Sequence, residues 1–301
     1  MTQMGQYPPA GHVVVHISDT HLLGEGRKLY GSVPVEQRLA DALRRLEAGP
    51  IDPDALVFTG DLADLGEPDA YVRLRAAVEP VAERLEAQLI WVMGNHDERA
   101  PYASLLFDEE PTDKPQDRVY DVRGLRIISL DTTVPGYHHG EITAEQLDWL
   151  RGVLAEPAPH GTLLAVHHPP VPTPLEVMAV LELHDQPALA DVIAGTDVRG
   201  ILGGHLHYST HSTFAGVPVS VAAATCYTLD LAADAQRQEP VAERAEQFGE
   251  GPGEQEAGDA GHQQPGRDRA DHAADRDHGF GKGGRIETVE QAQHAGGAGA
   301  N

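Results

Sequence analysis

The chain has 301 residues and a formal net charge of −25. Such an acid excess argues against nucleic acid as a partner, because neutralising phosphates takes a basic face, and it disfavours docking on an anionic membrane surface. A single cysteine, Cys226, excludes an internal disulfide and points to a reducing compartment, and no apolar run approaches the roughly 18 residues of a membrane span.

Residues 1–9 carry neither a basic nor an apolar signal-peptide region, so a cytoplasmic location is expected. The first predicted strand, 13–17, leads into Ser18, Asp19, Thr20 and His21. After a glycine-rich loop at 24–31, Pro34 opens a helix that places Val35, Leu39, Leu43 and Leu46 on one face, and Gly49 and Pro50 stop it. A strand at 55–59 ends in Gly60, Asp61 and, three residues on, Asp64. A second amphipathic helix lies within 68–87. The apolar run at 89–93 then reads as a buried strand that delivers Gly94, Asn95, His96 and Asp97 at its carboxyl end, where open α/β sheets place their sites.

Residues 98–117, with three prolines, read as an irregular excursion over the site, and 118–130 as a hairpin turning near Arg123 and Gly124. The loop 132–141 carries His138 and His139. Thr143 with Gln146 predicts a capping box for a helix to about Leu154. A strand at 162–166 ends in His167 and His168; proline-rich sequence, a helical segment and a short helix at 187–193 follow. A strand at 198–202 runs into Gly204, His205 and His207, and 217–224 is the last predicted strand. From Ala232 to Asn301 there is no leucine, so this segment cannot bury enough apolar surface to offset its ordering entropy and is expected to be a disordered tail, with helical stretches at 239–247 as the alternative. Its composition also fits a GC-rich gene read in a shifted frame.

Five predicted strand ends thus hold ligand-capable residues: Asp19 and His21; Asp61 and Asp64; Asn95 and His96; His167 and His168; His205 and His207. Side chains alternate along an extended chain, so a D-x-H or H-x-H pair is expected to offer both groups to one side. Imidazole nitrogen with carboxylate or amide oxygen suits Mn, Fe, Zn or Co, and the lack of cysteine in these blocks argues against a structural zinc site. One histidine after a strand is an ordinary packed or surface residue; five such termini together point to metal binding. His12, His160, His184 and His211 lack such company and read as plain surface residues, while His138 and His139 sit where a loop could reach substrate or a partner subunit.

In order, D-x-H, G-D-x-x-D, G-N-H-D, a histidine pair and G-H-x-H resemble the signature of the calcineurin-like metallophosphoesterase superfamily. Over residues 13–230 the surrounding sequence is most similar to its bacterial class III cyclic nucleotide phosphodiesterases. The resemblance implies an α/β fold, a four-layer αββα sandwich of two mixed β-sheets flanked by helices, with a catalytic domain at 1–231 and a tail at 232–301. It implies two metal ions, iron or manganese first and zinc or cobalt as alternatives. Asp19, His21, Asp61 and His207 would hold one ion and Asp61, Asn95, His167 and His205 the other, with Asp61 and a hydroxide as bridges and the hydroxide attacking phosphorus in line. His96 is implied as the group that meets the phosphate or protonates the leaving alkoxide, or else as a support for Asn95; Asn95 and His138 also face substrate, and Asp64 supports a ligand or catalytic histidine. His168 stays outside the ligand set, and Asp97 is placed as a turn residue or a support.

The activity implied is hydrolysis of 3′,5′-cyclic AMP, and of cyclic GMP, to the 5′-monophosphate, by a homodimer. The alternative within enzymes is a glycerophosphodiester or broad-specificity phosphodiesterase, selected by the segments 98–117, 132–141 and 171–186. The alternative outside enzymes is a non-catalytic metal-binding scaffold, which would show gaps among the five blocks; none is missing.

Overall fold

The computed structural model describes residues 6, 7 and 9–232, so the proposed tail and the helical stretches within it lie outside the described residues, Ala232 excepted. Fifteen strands and helices follow one another in the described chain: β1 (Val14–Ile17), α1 (Val35–Ala48), β2 (Ala55–Thr59), α2 (Pro68–Arg84), β3 (Gln88–Val92), α3 (Arg99–Leu106), β4 (Arg118–Val122), β5 (Leu125–Ser129), α4 (Ala144–Leu154), β6 (Thr162–Ala165), α5 (Glu176–Ala179), α6 (Gln186–Ile193), β7 (Val198–Gly203), β8 (Thr210–Phe214) and β9 (Val217–Val221). They form a three-stranded sheet, ordered β1-β2-β3, and a six-stranded sheet, ordered β4-β5-β6-β7-β9-β8. The smaller sheet is wholly parallel; the mixed character belongs to the larger, where β4 and β8 run antiparallel to their neighbours.

Strand alternation explains the layering. In β2, Leu56 and Phe58 face one way into a core shared with Leu39 and Leu43 of α1 and Leu74 and Val78 of α2. Ala55 and Val57 face the other way, and meet Ile90 and Val92 of β3 and Ile127 of β5 in a core between the sheets. On the larger sheet Ile128, Leu164 and Ile201 pack beneath Leu147 and Leu150 of α4 and Leu189 and Val192 of α6. The central strands bury both faces, β2 at every position, which explains why such segments read as continuous apolar runs. The result is helices, sheet, sheet, helices, the expected αββα sandwich. The capping box forms as predicted: the Gln146 backbone N–H donates to Thr143 Oγ1 at 3.2 Å and the Thr143 N–H donates to Gln146 Oε1 at 3.1 Å.

Three expectations change. Residues 98–117 are not all irregular: α3 occupies Arg99–Leu106 and buries Tyr102 and Leu106. Pro101 is tolerated because it lies in the first turn, where backbone N–H groups have no helical partner anyway. An edge strand, β8, appears at Thr210–Phe214, a stretch with too little apolar alternation to announce itself. The last strand ends at Val221, and the chain beyond it turns back beneath the first loop, where Thr225 and Cys226 donate their N–H groups to Ser18 and Asp19 carbonyls at 2.9 and 3.1 Å.

Candidate metal centre

Each of the five blocks follows the carboxyl end of a parallel strand: β1, β2, β3, β6 and β7. The loops are stitched to one another by backbone hydrogen bonds. Asp19 and His21 donate to the carbonyls of Gly60 and Asp61 at 3.1 and 2.9 Å, and Gly204 donates to His167 O at 3.0 Å. His205 N–H reaches across to the Asp19 carboxylate at 3.2 Å. The two sheets therefore bring their carboxyl ends to one place.

The expected extended geometry of the D-x-H and H-x-H pairs does not hold. Asp19 (φ 53°), His21 (φ 45°), His205 (φ 68°) and His207 (φ 55°) all lie in the left-handed region, as does Asp61 (φ 49°). These strand ends are left-handed turns, not pleated extensions: Asp19 and His21 reach one group together, while His207 joins that group and His205 lies with His167 and His168. For non-glycine residues this conformation costs roughly 1–2 kcal/mol each, and it persists where the surroundings over-determine it, commonly at functional sites. Close approach of the loops depends on two glycines. A Cβ on Gly94 would overlap the backbone nitrogen and carboxylate of Asp61, and one on Gly204 would overlap Ser18 Oγ.

The carboxylates and imidazoles converge. Asp19, His21, Asp61 and His207 are all buried and place one ligand-capable atom each within 4.8 Å of the others. His21 Nε2 lies 3.4 Å from Asp61 Oδ2 and 3.2 Å from His207 Nε2. His207 Nε2 is 3.4 Å from Asp19 Oδ1. On the far side of Asp61, His167 Nε2 is 3.3 Å from Oδ2 and 3.1 Å from Asn95 Oδ1. Asp61 is thus flanked by imidazoles on both sides.

The outer ring nitrogens are spoken for, which fixes what faces inward. His21 Nδ1 donates to Asp64 Oδ1 at 2.9 Å and His167 Nδ1 donates to Thr59 O at 2.7 Å, so each leaves Nε2 as its inward lone pair. His205 donates Nε2–H to Leu181 O at 3.0 Å, so its inward atom is Nδ1. His168 has both ring nitrogens engaged, with Thr132 Oγ1 at 2.8 Å and His138 O at 3.1 Å, although it also lies close to His167 and His205. Asn95 turns Oδ1 toward His167 and Nδ2 toward His138 Nδ1 at 2.8 Å. His96 is held by its backbone N–H on Asp61 Oδ1 at 2.9 Å and by Nδ1 donating to Asp64 O at 2.8 Å.

Charge in the bare chain follows the same geometry. Burial pushes Asp19 up, while Asp61, despite burial, is held well below the usual carboxylate range by His167 and His96. Burial opposes protonation of His21 and His167, yet Asp61 and its neighbours raise both, His167 to about 9. Burial and the charge on neighbouring imidazoles lower His205 and His207, the latter to about 3. In the bare chain Asp61 thus draws protons onto the inward nitrogens of His21 and His167, and a cation bound there would displace those protons and take the lone pairs. Nitrogen and oxygen donors with inward lone pairs, around carboxylates that call for cations, fit a dinuclear metal site.

Some roles were not legible in the sequence. Asp97 accepts the backbone N–H groups of Leu62, Ala63 and Gly94 at 3.0, 3.0 and 2.9 Å and the Tyr71 hydroxyl at 2.9 Å. It is the post to which the loop bearing Asp61 is tied. Cys226 Sγ lies 3.8 Å from His207 Nδ1; burial pushes the thiol up to about 12, so it backs the ring as a neutral S–H. No local motif marks it, since only the return of the chain after β9 brings it there. His12, His160 and His184 are not solitary: His12 Nε2 lies 2.7 Å from His160 Nδ1, and His184 stacks on His139.

The calcineurin-like phosphoesterase family description matches residues 12–209. A cAMP/cGMP dual specificity phosphodiesterase of Mycobacterium tuberculosis is 59% identical over 226 residues, 75% of this chain and 71% of that one. A probable cyclic nucleotide phosphodiesterase of Rhodococcus erythropolis is 58% identical over 226 residues, 75% of each chain. Among solved structures, a dimetal phosphatase from Danio rerio superposes with a TM-score of 0.52 at 16% identity, covering 72% of this chain and 88% of that one, a likeness of fold.

Proposed function

The chain belongs to the calcineurin-like phosphoesterase family, and from that membership we propose that it is a phosphodiesterase that hydrolyses cyclic AMP, and also cyclic GMP, to the 5′-monophosphate. The convergence of Asp19, His21, Asp61 and His207 in one buried cluster carries this reading, and the names borne by the two bacterial relatives support the substrate class. Asp19, His21, Asp61 and His207 would hold one cation, and Asp61, Asn95, His167 and His205 a second, with Asp61 serving both. When bound, the cations supply Lewis acidity that lowers the pKa of the attacking water and takes up charge developing on the phosphate.

The protein's own groups supply position and a proton. Asp64 fixes His21 through its carboxylate and His96 through its backbone carbonyl, so one residue aligns a ligand and the proposed acid. His96, anchored at Nδ1, is proposed to meet the phosphate through Nε2 and to pass its proton to the departing 3′ oxygen as water oxygen bonds to phosphorus and the P–O3′ bond breaks. His138, bonded to Asn95, lines the substrate side in this reading. The finer proposals are iron or manganese as the preferred cations with zinc or cobalt accepted and a homodimer, which the motif resemblance supports, a cytoplasmic setting, which the single cysteine supports, and a catalytic domain at 1–231, which the absence of leucine from 232 onward supports. No helix among the described residues is long and apolar enough to cross a membrane.

The test is a diester panel on purified, manganese-loaded protein after metal analysis. Turnover of cyclic AMP to 5′-AMP is expected, with loss of most turnover in Asn95→Ala. Protein that leaves both cyclic AMP and bis(p-nitrophenyl) phosphate untouched overturns the reading. A higher kcat/KM on glycerophosphoethanolamine would transfer the assignment to glycerophosphodiesters, and less than one metal equivalent per chain would point to a scaffold.

A further inference from the structure

Away from the buried cluster, two segments that reach it through His138 and Leu181 meet in a short backbone pairing. Gly140 donates its N–H to Glu182 O at 3.1 Å and accepts the N–H of His184 on its carbonyl at 2.8 Å. Glu141 N–H is tied back to Thr132 O at 3.0 Å. The pairing is seated tightly, because a Cβ on Gly140 would lie 2.6 Å from the His168 ring. It therefore fixes the residues on either side of Gly140 against His184, and the rings of His139 and His184 stack with centroids 4.2 Å apart and planes at 15°.

Both rings address one oxygen. His139 Nε2 is 3.1 Å and His184 Nδ1 3.4 Å from Glu141 Oε1, and one ligand-capable atom from each of the three lies within 4.8 Å of the others. Donors bound to one tetrahedral Zn²⁺ at about 2.0–2.1 Å stand about 3.3–3.4 Å apart, close to the 3.1 and 3.4 Å edges seen here, and rotation of the two stacked imidazoles about their side-chain bonds would turn their lone pairs onto one ion. His184 and Glu141 are about half exposed, which leaves room for a water as the fourth ligand. The cleft beside His184 is lined by Glu182 and Asp185, whose charge favours arrival of a cation.

We propose that His139, Glu141 and His184 form a third cation site, separate from the dinuclear cluster, that takes Zn²⁺ or a similar divalent transition metal and clamps the two segments together. Two imidazoles and one carboxylate suit Zn²⁺, Ni²⁺ or Cu²⁺ and are poor ligands for Mg²⁺ or Ca²⁺. The clamp touches the substrate side at two points. His168, beneath Gly140, bonds His138 O, and Leu181, three residues before His184, accepts from His205. Filling the site would stiffen these segments and slow exchange of ligand through them.

The experiment is equilibrium dialysis of the full-length protein against Zn²⁺ at low micromolar free concentration, with bound zinc counted by atomic emission. The same count is made on His184→Ala and, separately, on His139→Ala, so that a folding defect in one variant does not decide the outcome. Wild type is expected to hold one zinc equivalent more than either variant, whatever number the buried cluster holds, so the result stands apart from the dinuclear reading. Hydrogen exchange gives a second readout: Zn²⁺ should increase protection at the amides of Gly140 and His184 in wild type and not in the variants. Equal zinc counts in wild type and both variants overturn the proposal.

Discussion

His21 donates its Nδ1 proton to Asp64 at 2.9 Å, and that single bond decides which nitrogen of His21 faces Asp61 and His207. The bond fixes both tautomer and ring plane. Asp64→Ala removes it and should weaken metal affinity or turnover by about 10–100-fold, the usual effect of losing a group that orients a metal-ligating histidine. Manganese titration of wild type and variant, followed by cyclic AMP turnover at saturating metal, checks this. An affinity unchanged within twofold would show that His21 is oriented by packing alone.

Asp97 and Tyr71 form a second such pair, this one serving stability. Tyr71→Phe withdraws one of the four donors to a buried carboxylate and should cost about 1–2 kcal/mol, read as a shift in urea midpoint with unchanged slope. Asp97→Ala should cost more, because three backbone N–H groups then lose their acceptor at once.

His16 predicts a pH dependence. Burial holds its pKa at about 4, only partly offset by Asp19, while the unfolded chain titrates near 6.5. Between these values the unfolded state binds more protons, so stability is present above pH 6.5 and is lost as pH falls toward 4. The loss is on the order of 3 kcal/mol as an upper bound. Denaturant midpoints across this window should fall less in His16→Gln than in wild type; parallel curves would rule His16 out as the source.

Gly94→Ala should be far worse than an ordinary glycine substitution. The methyl group has nowhere to go but into the backbone and carboxylate of Asp61, so the loops after β2 and β3 must part. Overpacking of this kind costs about 1–3 kcal/mol, and here it also displaces the central carboxylate. Metal analysis should show fewer than two equivalents retained after gel filtration, alongside a lowered melting temperature.

Chelation tests the site as a whole. Two buried carboxylates, Asp19 and Asp61, face each other across imidazoles in the bare chain, so a cation that binds only the folded state should stabilise it by about 2.7 kcal/mol at 100 times its Kd. Manganese added to chelator-treated protein should raise the melting temperature, and the gain should vanish in Asp61→Asn.

Much of the molecule was open to reading from local pattern. The five polar blocks each follow an apolar run, the Thr143 and Gln146 capping box starts its helix where expected, and the strands 55–59 and 89–93 keep nearly their predicted bounds. Such features depend on residues a few positions apart, and short-range sterics and hydrogen bonding leave their mark in composition and spacing. β8 escaped because an edge strand need bury only one partial face, so Thr210, His211 and Ser212 carry no apolar signal.

By itself the chain's order of residues marked out five blocks of ligand-capable side chains and showed that each follows a predominantly apolar strand. Only the tertiary structure decided how they meet. It set Asp19, His21, His205 and His207 in left-handed conformations, tied Asp61's loop to Asp97, placed Cys226 behind His207, and stacked His139 on His184 from 45 residues away. The reason is physical: φ angles that oppose local preference, and contacts between distant segments, exist only because packing and hydrogen bonds elsewhere in the fold hold them.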